Sequence, residues 1–531
     1  MNKKKILCAI LCAVLAVQFC SCGDSDEEIL LSGKSTDEYP QSSDVELIWW
    51  VDEPAGVRME TYTMNSTMFK KELEKQTGIR VKFIHPPWGQ EVQSFSLMIA
   101  SNNLPDIIEY DWKQYAGGAG KAIADDVIVD IKPLLEKVSP NLKAFLDERP
   151  EIAKNLQTDQ GQYGFYPFVR DGDMLTTFRG AVIRKDILDN AGVAMPETLE
   201  EWDIALRTMK DAGIEIPITI HFANDLLDAV GPFMGAFDIC GGFYQEDGVV
   251  KFGPYEPNFK KFVKKMNEWY EEGLLDRQFD NMESSRYEEL FSSGKLGAAF
   301  GTAGGNMGNW ISDVQQNIPG AVLAPAKYPS SQKGQRAKFG HKTLEVEGKG
   351  AAITTQCRDV EMAARLLDYA YSEEGSMLYN FGIEGESYEM VDGYPTYTSY
   401  MTDEEINGGR TLAQMLGQYT RSSASAPCIQ DVRYMEQYCK GEEQKAALRV
   451  WADTDAGDYQ LPLLTFTLEE NTEYSSIMNK INPYRQERLY QYIAGILPVD
   501  DMEEYYAELQ NMGIERAIEI QQAAYDRFLQ R

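Results

Sequence analysis

Residues Ser66–Asp111 read STMFKKELEKQTGIRVKFIHPPWGQEVQSFSLMIASNNLPDIIEYD. Ser66 is a helix-capping type, charged residues fill the body that follows, and Gly78 supplies a stop. IRVKFIH then sets Ile79, Val81 and Phe83 on one face of a strand. QEVQSFSLMIASNN predicts a second helix, and PDIIEYD a strand beginning after Pro105. Upstream, DVELIWWV (Asp44–Val51) is a β-branched and aromatic run that completes a β-α-β-α-β order. Such an order predicts a parallel sheet flanked by helices, whose ligands sit beyond the carboxyl ends of the strands. Those ends carry Trp49-Trp50, then His85-Pro86-Pro87-Trp88, then Tyr110-Asp111-Trp112.

A second α/β unit begins near TTFRGAVIRKDILDNAG. Thr198 and Glu201 stand at capping-box spacing, and Gly213 ends that helix. Phe259, Phe262, Val263, Met266, Trp269 and Tyr270 form a helical stripe that belongs to a core, with no ligand role assigned. GKLGAAFG (Gly294–Gly301) is a short buried strand entering a glycine-rich loop, and helices follow at Asp359–Tyr379 and after Glu469, broken at Pro483 and Gly513. With 531 residues, of which 43% are hydrophobic, the chain exceeds what one core organises, so two or more lobes are expected.

The N-terminus predicts location. Lys3, Lys4 and Lys5 precede an apolar run from Ile6 to Phe19, suited to a signal peptide and short of the ~20 residues of a membrane span. Phe19 to Cys22 resembles a bacterial lipobox, with Phe19-Cys20-Ser21 a variant of the usual pattern. That resemblance implies cleavage after residue 21, lipid on Cys22, and attachment to the outer face of the bacterial cell membrane; ordinary secretion is the alternative. Residues 22–43 read as a polar tether. Net charge is −32, or −35 without the three lysines, which disfavours nucleic acid and anionic lipid as partners. Cys240, Cys357, Cys428 and Cys439 remain, with no C-x-x-C spacing; a Cys428–Cys439 bridge and four free thiols both stay open.

FKKELEKQTGIRVKFIHPPWGQEVQSFSLMIASNNLPDIIEYD, GKLGAAFGTAGGNMGNW, GKGAAITTQCRDVEMAARLLDYAYSEEG and YNFGIEGESYEMVDGYPTY together resemble the extracellular solute-binding proteins of carbohydrate ABC importers, the maltose-binding type, in the long lipoprotein members of Gram-positive bacteria. The resemblance runs from about Asp44 to the C-terminus. It implies a two-lobed, type II periplasmic-binding-protein-like α/β fold, each lobe a mostly parallel sheet flanked by helices, with extra C-terminal helices and a cleft that closes on its ligand. By analogy the first passage between lobes lies near Thr177, the return within GAVLAPAKYP (Gly320–Pro329) and a third after about Gly385. This sets lobe 1 at 44–177 and 326–385, and lobe 2 with the helical region at 178–325 and 386–531.

Sugars present C–H faces and hydroxyl edges, so they suit aromatic platforms beside a few planar polar groups. The resemblance carries Tyr110 and Asp111 over as sugar contacts, with Trp112 and Tyr115 in the loop behind them. Trp49 and Trp50 face opposite ways on one strand; Trp50, nearer the end, is the cleft candidate. Trp88 is a platform or a staple for a rigid turn. In the maltose-binding type a stacking tryptophan soon follows the second-lobe strand; here Gly304 and Gly305 hold that place, leaving Asn306 and Trp310 as candidates. Glu384 and Tyr388 of GIEGESY resemble a segment near the third crossing, and His341 faces cleft or solvent. Asp453, Asp455 and Asp458 loosely follow a calcium loop, but Asp458 replaces the sixth-position glycine and Leu464 the closing glutamate, so no metal is expected.

The expectation is therefore a monomeric surface lipoprotein that captures an oligosaccharide and hands it to permease subunits, with no cofactor and no covalent chemistry. A peptide, polyamine or other polar solute in the same fold is the alternative. A glycoside hydrolase is the less favoured third reading: the 83 acids supply carboxylates, but no nucleophile elbow, H-E-x-x-H or cysteine–histidine signature is present.

Overall fold

The computed structural model describes residues 38–58, 63–221, 231–280, 284–424 and 426–531. The signal segment, Cys22 and the tether up to residue 37 lie outside the described residues. Strand β1 (Glu46–Trp50) runs parallel to β2 (Arg80–Ile84) on one side and β3 (Ile107–Asp111) on the other. Helices α1 (Ala55–Arg58), α2 (Met68–Thr77) and α3 (Glu91–Ser101) are interleaved with these strands. Thr67, not Ser66, caps α2 by accepting from Lys70 N–H, because Ser66 is used in a preceding 3-10 turn; Gly78 ends α2 at φ +71°. Asp106 of the PDII segment, 2% exposed, accepts from the backbone N–H groups of Ile48 and Arg358 and from the Arg358 guanidinium. Burial opposes its charge, but these donors outweigh burial and hold the carboxyl below the usual range. The acid thus ties β1 to the segment around Arg358.

That sheet is completed by β4 (Tyr166–Pro167) and β12 (Lys349–Ile353), in the order β2-β1-β3-β12-β4. β5 (Val169–Arg170) leads out of it to β6 (Arg179–Arg184), which starts a second sheet with β7 (Ile216–Ile218), β10 (Leu296–Thr302) and β11 (Leu323–Ala326), in the order β11-β6-β10-β7. Both sheets are mixed. β12 and β6, which arrive from the other sheet, run antiparallel to their neighbours. Hairpins β8 (Phe243–Glu246)–β9 (Val249–Phe252) and β13 (Tyr388–Val391)–β14 (Tyr394–Tyr397) stand apart from the two main sheets.

Helix α4 (Leu199–Asp211) is capped by Thr198, which accepts from Glu201 N–H, while Glu201 returns its carboxylate to Glu197 N–H. In α5 (Asn258–Glu271) Phe259, Phe262, Val263, Met266 and Trp269 are buried as their spacing requires, Tyr270 is half-buried at the edge of the stripe, and Trp269 lies edge-on to Phe233 at 5.0 Å. The second core continues through α6 (Gly308–Asn317) into the C-terminal helices. α7 (Val360–Tyr369) is capped by Asp359 and ends before a separate helix at Glu373–Asn380, so the single helix expected at Asp359–Tyr379 is two.

Residues 386–424 depart from the sequence expectation. Helix α8 (Leu412–Tyr419) lies against α1, where a Cβ on Gly56 would meet the Ala413 carbonyl at 2.4 Å. The hairpin and α8 share a core with Phe381 and Met68 of α2. β15 (Ile429–Gln430) then pairs in parallel with β5. The chain therefore stays with the first sheet well past Gly385 and leaves it beside its own first exit. After α9 (Val432–Tyr438) and α10 (Glu442–Ala452), helix α11 (Leu468–Ile493) runs unbroken through Pro483, since Ile477, Met478, Ile481 and Leu489 bury it on both sides of the proline. Gly513, at φ +100°, does break the path before α12 (Ile514–Gln530). Among the described residues Cys357, Cys428 and Cys439 stand as thiols, so no bridge joins Cys428 to Cys439. The acids near 453 are met by cations: Asp453 by Lys327 and Arg336, Asp455 by Arg336.

Candidate functional site

A cavity of about 510 Å³ opens at the carboxyl ends of β1 and β3. Asp52 and Glu53 come from the chain after β1, Arg58 from α1, Glu91 from the start of α3, Tyr110 and Asp111 from β3, and Lys349 from β12. Tyr110 is fixed by packing: its ring stacks on Phe95 at 4.1 Å and 22°, and Trp50 meets it edge-on at 5.7 Å. Burial pushes the Tyr110 hydroxyl upward, aided by the charges of Asp111 and Glu91. Bonds from its own N–H and then from Gly89 N–H, at 2.7 Å, hold the Glu91 carboxyl below the usual range. Glu109, in the cavity wall, accepts from Arg421 at 2.7 Å, both side chains buried.

The far wall comes from α9. Tyr438 lines the cavity, stacks on Tyr434 at 5.8 Å, and lies so close to the glycine-rich turn after β10 that a Cβ on Gly304 would meet its ring at 2.4 Å. Residues of that turn, Ala303–Met307, form a π-helical turn whose carbonyls at Ala303 and Gly304 accept from the Gln444 amide of α10. The cavity thus joins the ends of the first sheet to an aromatic seated on the second.

Of the sequence candidates, Tyr110 and Asp111 line this cavity and Trp50 supports Tyr110. Trp88 stands at the rim, 81% exposed, with the Arg58 guanidinium 5.9 Å from its ring. Trp112 is corrected to a core residue: the one-turn helix after β3 swings its indole inward, where Nε1 donates to the Gly350 carbonyl at 3.3 Å. Trp310 is core too, filling the space left by Gly301 and stacked on Tyr287 at 5.7 Å. Asn306 folds back on Thr302, taking both its N–H and its hydroxyl. Tyr115 donates to Asp125, Tyr388 packs on Phe381, and Glu384 is exposed beside that cluster; none of the three lines the cavity. Asp52, Glu53, Arg58, Glu91, Glu109, Lys349 and Tyr438 were missed. Asp52 and Glu53 stand just past the end of β1, a signal that was available; nothing in the sequence points to Tyr438.

His341 is buried against Phe178 at 4.4 Å, outside the cavity wall. Burial, then Arg179 and Arg170, lower its pKa to about 3. The folded chain keeps the ring neutral while the unfolded chain protonates it below about 6.5. Its contribution is therefore complete above 6.5 and lost as pH falls toward 3, amounting to about 2–3 kcal/mol by pH 4.5. Asp368, pushed up to about 6 by burial, acts with opposite sign between 3.8 and 6. The difference between parent and variant isolates the histidine: His341→Gln narrows the stability loss between pH 7 and 4.5 by that amount in urea titrations, and parallel curves would show that the ring titrates freely.

The family model of the bacterial extracellular solute-binding proteins matches residues 66–377. The fructooligosaccharide ABC transporter substrate-binding protein FusA of Streptococcus pneumoniae is 24% identical over 501 residues, 87% of each chain. Lipoprotein LipO of Bacillus subtilis is 26% identical over 349 residues, 61% of this chain and 64% of its own. The alginate-binding protein AlgQ2, solved without calcium ion, superposes with a TM-score of 0.71 at 23% identity, covering 92% of this chain and all of its own, which shows the two-lobed fold. With more than half of its length matched by the family model, the chain belongs to the bacterial extracellular solute-binding proteins.

Proposed function

We propose that the chain captures an oligosaccharide in the cavity between its sheets, releases it chemically unchanged to the permease subunits of an ABC importer, and works as a monomer held to the outer face of the cell membrane by lipid on Cys22. The observation that carries this reading is the pairing of Tyr110, from the first sheet, with Tyr438, seated on the second, across a cavity within the ~300–1000 Å³ of small-molecule sites. Sugar rings stack on the two tyrosines, and Trp88 offers a third face at the rim. Asp52, Glu53, Glu91 and Asp111 accept from hydroxyls, while Arg58 and Lys349 donate. A ligand touching both walls favours the closed arrangement, which is what a transporter must sense. FusA, a relative by sequence, is named for fructooligosaccharides. We place the lobe crossings at 169–178, 327–348 and 429–431, where the chain passes between sheets.

The acids also favour a second reading, a cationic solute such as a polyamine. Arg58 and Lys349 in the same cavity oppose a polycation. One titration panel separates the readings. Calorimetry on residues 23–531 against neutral oligosaccharides, oligouronates and polyamines should give binding to a neutral series, with uronates weaker by about tenfold, since unpaired like charges at 4 Å cost about 1 kcal/mol or more. Binding of polyamines alone would replace the sugar reading.

A further inference from the structure

His85 follows β2 and adjoins the cavity wall without lining it. Its ring spans the short segment that carries the chain from β1 into the cavity. Nδ1 lies 2.8 Å from the carbonyl oxygen of Val51, and Nε2 lies 3.7 Å from Oε1 of Glu53, two residues further on. Glu53 lines the cavity, and the same Oε1 accepts from Met64 N–H at 3.3 Å. Its other oxygen, Oε2, makes no hydrogen bond among the described residues.

The geometry fixes where the ring carries its protons. A carbonyl oxygen only accepts, so Nδ1 holds a hydrogen. In the neutral ring Nε2 then holds a lone pair. It is buried, has no hydrogen-bond partner among the described residues, and faces a carboxylate oxygen. Two acceptors oppose each other, which pushes Glu53 off the Met64 N–H. With a second proton the ring donates from both nitrogens, and the contact to Glu53 becomes an attraction between charges. The two side chains are 16% and 21% exposed, so solvent screens the pair little. Further charges about the ring come from neighbouring elements. Asp52 follows β1 and pairs with Arg58 of α1 at 3.7 Å, and Glu91 opens α3. Burial raises the Asp52 carboxyl, Arg58 opposes that, and Glu91 adds to it.

We infer that His85 is a positioning residue of the binding cavity: its doubly protonated ring holds Glu53 against the Met64 N–H and leaves Oε2 turned to the ligand, so a side chain that never touches the ligand makes capture tighter in mildly acid surroundings. The inference rests on the oligosaccharide reading above. Histidine is the side chain that ordinarily changes charge between about pH 8 and about pH 5. An acceptor already held in place bonds a hydroxyl without the cost of being ordered first.

Calorimetry on residues 23–531 at about pH 8 and about pH 5.5, with neutral malto-, fructo-, xylo-, galacto- and manno-oligosaccharides, tests this. In the series that binds, the parent binds about three- to tenfold more tightly at the lower pH. His85→Asn keeps an amide for the Val51 carbonyl and removes the group that faces Glu53, so it binds at both values as the parent does at the higher one. His85→Gln sets a permanent donor toward Glu53 and binds at both as the parent does at the lower one. The carboxyls of the wall are common to all three chains, so the differences between them isolate the ring. A parent without the step, or a step that survives in His85→Asn, overturns the inference and leaves the ring a brace for β1. Ring Cδ2 carbon shifts of the histidine-labelled chain, assignable among its 3 histidines, give a reading without ligand. The Nδ1–H form at the higher pH supports the geometry, and the Nε2–H form overturns it. Failure of every series to bind overturns the oligosaccharide reading, and the form of the ring then decides the inference by itself.

Discussion

Arg421→Met lowers the stability of the folded chain by about 3–5 kcal/mol, read as a shift of the urea midpoint. Arg421 and Glu109 are 3% and 7% exposed and joined at 2.7 Å at the wall of the candidate cavity, which Glu109 lines. Glu109 sits in the middle of β3 and meets the cavity only at its wall, and its carboxyl is raised by burial against the pull of Arg421. Removing the guanidinium leaves a buried carboxylate that must take up a proton or stay uncompensated. Arg421 also lies over Phe83 at 5.9 Å and against Met64, so its loss opens packing as well. The paired exchange Glu109→Leu with Arg421→Met recovers most of the loss, because an apolar pair of similar volume needs no partner. A single variant costing less than about 1 kcal/mol would show that water reaches the pair.

Tyr438→Ala and Tyr110→Leu each weaken sugar binding by about 2–4 kcal/mol, which is roughly 30- to 1000-fold in Kd. The leucine keeps volume against Phe95 and removes the flat face, so melting of Tyr110→Leu stays near the parent while calorimetry loses the heat of binding. Tyr438 is half-buried and its alanine variant leaves a gap beside Gly304, tolerable at the edge of a cavity. Tyr438→Phe keeps the ring and therefore the affinity. Retention of full affinity in both Tyr110→Leu and Tyr438→Ala would remove stacking between the sheets from the account.

The first half of the fold is legible from local chemistry. Alternation in β2, the glycine stop of α2 and the proline before β3 each act over a few residues, and the carboxyl end of β3 then names Tyr110 and Asp111 directly. One residue later the rule fails. Trp112 enters a 3-10 turn, where the two-residue alternation of a strand no longer sets direction, and it points inward. Trp310 fails for a related reason: its helix has an inner and an outer face, and the glycine that makes room for it, Gly301, belongs to the preceding strand. The last passage between sheets is carried by the two-residue strand Ile429–Gln430, too short to show any pattern, and its partner is Val169–Arg170. Pro483 marks a helix end only where solvent surrounds it, and here the core on both sides holds the helix together.

Gly304 and Tyr438 amount to one locus written in two places. Enlarging the first collides with the second, and shrinking the second leaves a hole that only a larger first residue fills. Neither position is free to drift by itself, so in descendants of this chain the two should covary, an aromatic passing from one to the other while the space it occupies stays put. Swapping them together, Gly304→Tyr with Tyr438→Gly, should then be better tolerated than either half.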